Sequence, residues 1–140
     1  MKNTSISVGA AGFSVLAGVG SVQASLRDVT ISNVSNAAVG VENGVTTISN
    51  SVITQNGFGL IDGSGATINA ESCILSYNFT AVDAVTSGAT IRLSNNDIFN
   101  NGTGIAAGSG TVATTGNNKK AGNPGTGFPV GAPNATIGIQ

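Results

Sequence analysis

A small residue followed by an aliphatic one recurs along this chain as Gly40-Val41, Gly59-Leu60, Ala81-Val82 and Gly104-Ile105, at spacings of 19, 22 and 23 residues. Counting back from the last three pairs, Asn56, Asn78 and Asn101 fall in one column, and Ile53, Leu75 and Ile98 in another three residues earlier. Upstream of these come Thr46, Ile68 and Ile91, then Ile48, Ala70 and Leu93 two residues on. Val22 and Ala24 supply that pair of positions one repeat earlier, with Val29 in the Ile98 role, and Val112 and Thr114 supply it one repeat later. Self-similarity at such a period belongs to chains that stack one supersecondary unit on the next.

Pairs of apolar residues two apart, in short runs separated by Gly and Asn, carry strand periodicity rather than helical periodicity. With 21 Gly in 140 residues, and no ten-residue window of helical spacing, a crossover-helix α/β fold is excluded. The expectation is an all-β parallel solenoid of about five coils with ~22-residue repeats, each strand pairing with its copy one turn on. The coils occupy residues 1–123, and a Pro/Gly-rich tail over 124–140 is a possible cap. Asn tolerates left-handed backbone and carries an amide that bonds both backbone and a neighbouring amide. Asn56, Asn78, Asn101 and Asn123 are therefore expected to stack as a ladder at one turn.

The stretches "VTISN", "NSVITQNGFGL" and "LSNNDIFNNGTGIAAGSGTVATTGNN" resemble the right-handed parallel β-helix repeats of the pectate-lyase-like superfamily, over roughly residues 20–123. The closing "GNN" and polar tail are similar to the C-terminal coils of bacterial β-helix repeat proteins. The resemblance implies a right-handed winding, an extracellular or cell-surface location and, for a catalytic member, action on an acidic polysaccharide. That action is either calcium-assisted elimination or hydrolysis by paired carboxylates.

The residues for such chemistry are sparse. The chain has no histidine, which excludes Ser-His and Cys-His nucleophile systems and a His-lined metal site. Asp28 and Asp97 fall in nearly the same column, but three coils of ~4.8 Å hold them roughly 14 Å apart, too far to act as a pair. No catalytic set is expected. Glu42, Asp62 and Asp83 follow the small-aliphatic pairs on three successive coils, Glu42 and Asp83 at the same offset and Asp62 one residue later. They read either as solvated turn residues or as a calcium site, since stacked like charges favour a cation between them. Arg27 and Arg92 sit on strands among small polar residues, able to grip a carboxylate sugar or simply to cover sheet edge. Thr67, Thr90 and Thr111 form an outward column without the second threonine column that an ice-binding face needs. Cys73 reads as a small buried residue. Five Asn-x-Ser/Thr sequons are what such a composition produces by chance.

Five Lys and Arg against six Asp and Glu give a net charge of -1, which marks no footprint for nucleic acid or an anionic membrane. No apolar run approaches the ~18 residues of a spanning helix. Residues 1–24 read either as a secretory signal ending at Val22-Gln23-Ala24 or as a first coil with Ile6, Val8 and Phe13 in coil-like positions; Gly9, Gly12, Gly18 and Gly20 interrupt the apolar stretch and favour the coil. At the far end Lys120 stands where Ile98 stands one coil before. Phe128, Val130, Ile137 and Ile139 of the tail are placed to fold over the last coil. The first coil has no such cover, and the expectation is a homo-oligomer through that end. The functional expectation is a non-catalytic module with a structural, adhesive or glycan-contacting role. The alternative is a relative or fragment of a polysaccharide lyase or hydrolase.

Overall fold

Three short strands and three bends make one coil. The coil running from Val45 to Asp62 shows the pattern: Val45–Ser49, Val52–Thr54 and Phe58–Asp62 are strands, and each pairs in parallel with its copy one turn on. The computed structural model describes residues 1–18, 20–124 and 135–138. Sheet A stacks Gln23–Arg27, Val45–Ser49, Thr67–Glu71, Thr90–Ser94, Thr111–Thr114 and Ala135–Thr136. Sheet B stacks Ser5–Gly9, Thr30–Val34, Val52–Thr54, Ile74–Ser76, Asp97–Phe99 and Lys119–Ala121. Sheet C stacks Phe13–Val15, Ala37–Val41, Phe58–Asp62, Thr80–Ala84 and Thr103–Ala106. The two six-stranded sheets and one five-stranded sheet wind through about six turns, close to the five expected, and residues 5–15 contribute strands to the first of them.

The core is the line of side chains that the three sheets turn inward. Ile68 and Ile91 stack in sheet A, Ile53, Leu75 and Ile98 in sheet B, and Leu60, Val82 and Ile105 in sheet C. All are buried, as are Ile48 and Leu93. Burying each such side chain contributes about 1.5–3 kcal/mol. The register corrects four assignments. Leu26, fully buried, pairs with Ile48, and Ala24 with Thr46, so Val22 is not a core position and lies 45% exposed. Ile31 pairs with Ile53 and takes the Ile98 role that Val29 was expected to fill. Val39, not Val41, aligns with Leu60. A slip of two residues keeps every inward side chain inward, so alternation alone cannot reject it; hydrogen-bond pairing does. The fourth is Val8, which stands 82% exposed at a bend while its neighbours Ile6 and Phe13 pack against the core.

Two of the bends are single residues in left-handed conformation. Asn3, Asp28, Asn50, Ser72 and Asn95 turn the chain from sheet A to sheet B, and Val8, Asn33, Gln55, Tyr77 and Asn100 turn it from B to C. At Val8 this places a β-branched residue at φ 59°, a strain of about 1–3 kcal/mol. From Asp28 onward, the residue after each left-handed one points inward. After the B-to-C corner this gives the expected ladder. Asn78 Oδ1 accepts the Asn56 backbone N–H at 3.1 Å and its Nδ2 at 2.9 Å. Asn101 and Asn123 repeat the arrangement one coil on. Each Nδ2 also donates to a carbonyl of the preceding coil, at Ile31, Ile53, Leu75 and Ile98 in turn. After the A-to-B corner the inward column reads Val29, Ser51, Cys73, Asn96 and Asn118. Here too the side chains cap the coil before, with Ser51 Oγ accepting from Val29 N, Asn96 Oδ1 from Cys73 N and Asn118 Oδ1 from Asn96 N.

At the C-terminal side Lys120 pairs with Ile98 as expected. Ala135–Thr136 adds a strand to sheet A, and Ile137 N–H donates to the Thr114 carbonyl. Phe128, Val130 and Ile139 lie outside the described residues.

Candidate functional site

Winding segregates charge that the net value hides. All five basic residues lie on or beside sheets A and B. Lys2 bridges Arg27, Arg92 donates from Nη1 to Asn69 Oδ1 at 3.3 Å, and Lys119 pairs with Asp97 at 3.4 Å. Three of the six acids, Glu42, Asp62 and Asp83, lie on sheet C or where the chain leaves it. Sheet C and its exits carry no Lys or Arg.

These three carboxylates, expected to stack, occupy three different columns. Asp62 is opposite Val41 and Ala84, an inward column; Asp83 is opposite Ile61, an outward one; Glu42 is the residue after Val41, at the bend. Glu42 and Asp83 therefore do not share an offset. The misalignment comes from counting on Gly40-Val41, whereas the small-aliphatic pair of that coil is Ala38-Val39; the column needs smallness, which Ala supplies as well as Gly. Among the described residues no group of three or more Asp, Glu or Cys side chains is placed to hold a metal ion. Asp97 shares a column with Val52 and Ile74, and Asp28 turns a corner three coils away.

Asp62 is the unusual member. It is 1% exposed, its Oδ2 accepts the Thr90 backbone N–H at 2.8 Å, and its Oδ1 is buried with no hydrogen-bond partner. Burial pushes its carboxyl up to about 7; the Thr90 hydrogen bond opposes this and the Asp83 charge adds to it. Burial also raises Asp83. Desolvation disfavours the charged form of both.

A groove of about 430 Å³ lies against this region, on the first coils of sheet C. Ser14, Ala37 and Gly40 contribute small side chains to its lining, Leu16, Ile61 and Val85 apolar ones, and Glu42 and Asp62 its carboxylates. Elsewhere, Thr67, Thr90 and Thr111 do align outward on sheet A, beside Asn69, Arg92 and Ala113. Cys73 is buried, and burial pushes its thiol up to about 11, so it is an inert member of the A-to-B corner. No helix among the described residues is long and apolar enough to cross a membrane.

The parallel winding, the stacked corners and the amide ladder are the features of one family, and the model of the right handed beta helix region matches residues 1–137. The chain belongs to the right-handed β-helix family. The pectate-lyase-like superfamily is consistent with this β-helix. Comparison with curated proteins and with solved structures returned no match. Family membership thus settles the scaffold of this β-helix, and its chemistry rests on the side chains described above.

Proposed function

We propose that this β-helix is a non-catalytic module that contacts glycans through the outer groove of sheet C. The observation that carries the reading is the disposition of its carboxylates: the groove is formed, yet Asp62 faces the core while Glu42 and Asp83 stand in separate columns. Glycoside hydrolysis needs two carboxyl groups facing one bond, and calcium-assisted elimination needs several oxygen ligands converging on one ion. A groove with small residues in its lining and apolar flanks suits binding of a chain of sugars without either arrangement. The test is a glycan array with the purified chain, read beside incubation with polygalacturonate and alginate. Retention of glycans without release of unsaturated or reducing ends is expected. Turnover would transfer the protein to the lyase or hydrolase reading.

The first coil also exposes Met1, Val8 and Val22. With the outer edges of Ser5–Gly9 and Phe13–Val15, they support the proposal that a second copy packs against this end. A mass that stays monomeric from micromolar to millimolar concentration in light scattering would refute it.

A further inference from the structure

The segregation of charge bears on which glycan the groove takes. Its volume of about 430 Å³ falls within the usual size of a ligand pocket. Glu42 and Asp62 line it, and Asp83 continues the Ile61 column one coil on. No Lys or Arg lines it. The Glu42 carboxylate of this wall can only accept, so a ligand group set against it must donate. A uronic acid polymer would set carboxylate against carboxylate, and like charges at close range repel.

Resting on the glycan-contacting reading above, we propose that the sheet C groove selects a cationic glycan, one whose sugars carry free amino groups. Glu42 and Asp83 receive the ammonium groups, and Leu16, Ile61 and Val85 cover the apolar faces of the sugar rings. An ammonium offers three donors and no acceptor, the complement of this surface, and its hydrogen bonds to carboxylates are charge-assisted. The small side chains of Ser14, Ala37 and Gly40 leave room for a ring to approach the sheet. The substrate class is thus opposite in charge to the acidic polymers that the family resemblance implies.

The experiment is a calorimetric titration of the full chain with oligomers of glucosamine, the same oligomers N-acetylated, oligogalacturonate and oligolysine. The glucosamine oligomer is expected to bind, the acetylated one about tenfold more weakly or less, and the affinity to fall as salt screens the pairs. Glu42→Gln keeps an oxygen to accept the Ala17 N–H, which Glu42 Oε2 now does at 3.0 Å; it and Asp83→Asn should each weaken binding about tenfold with an unchanged circular dichroism spectrum. Equal binding of acetylated oligomers, or tighter binding of oligogalacturonate, overturns the charge selection and leaves the glycan-contacting reading standing. Oligolysine binding as tightly as the glucosamine oligomer overturns the glycan assignment in favour of a basic peptide. Failure of every glycan to bind overturns both readings.

Discussion

The B-to-C corner and the exit from sheet C both bury polar side chains, and they treat them in opposite ways. At the corner, Asn78 and Asn101 each accept two hydrogen bonds on Oδ1 and donate to a carbonyl and to the next amide from Nδ2. At the exit, Asp62 has one oxygen bonded to Thr90 and the other to nothing. A buried polar group that is fully bonded costs little and fixes the backbone around it, whereas one left unpaired costs about 1–3 kcal/mol. The contrast separates side chains that hold the coil from one whose burial stability alone does not explain.

The largest expected effect breaks the exit. The Asp62 carboxyl moves from 3.8 to about 7 on folding. Below about pH 4 both folded and unfolded chains are protonated there and the group costs nothing. As pH rises towards 7 the unfolded chain releases the proton and the folded chain keeps it, so stability falls, and above 7 the full penalty of about 4 kcal/mol is present. Asp62→Asn removes the charge and should raise the melting temperature at pH 8 while leaving it nearly unchanged at pH 4. The shallow slope that remains belongs to Asp83, which burial raises in the same direction. Parallel melting curves for the two proteins across this range would show that Asp62 is not the group at work.

Breaking the corner is the next effect in size. Asn78→Ala strands the Asn56 N–H and amide and the Ile53 carbonyl, and should cost about 2–3 kcal/mol by urea denaturation. An end position such as Asn123 should cost less, since its amide serves the coil on one side only. The smallest effect sharpens the comparison instead. Cys73 holds the same place at the A-to-B corner that Asn78 holds at the other, and its N–H already donates to Asn96 Oδ1 at 2.9 Å, as the Asn78 N–H does to Asn101. Cys73→Asn should therefore extend the second ladder and stabilise by about 1 kcal/mol. A loss of stability would mean that the two corners are alike in backbone but not in the room they leave.

The features that repeat were the legible ones. Ile53, Leu75 and Ile98, and the asparagines at 56, 78, 101 and 123, announce themselves because one residue type recurs at one spacing. The A-to-B corner escaped notice because its column changes chemistry at every step, from Val29 to Ser51, Cys73 and Asn96; the signal that could have found it is the run of Asp28, Asn50 and Asn95, each one residue before it. Glu42 falls beside Asp83 in the sequence only when the offset is measured from Val41 rather than Val39, and the one residue by which Asp62 trails Asp83 is what turns it inward. The acidic character of sheet C is invisible in a net charge of -1, since it arises only when winding sorts distant residues onto one face.

The coil closes upon itself. Each carries its own two left-handed corners and its own inward side chains, and reaches its neighbours through one repeated pattern about 22 residues apart. Such a unit can be copied or deleted as a block, each copy lengthening the rod by about 4.8 Å without redrawing its cross-section. Every face lengthens with each coil added: a residue type repeated from coil to coil sets the character of a face along its whole length, and the length of polymer that a face can span follows from the number of coils.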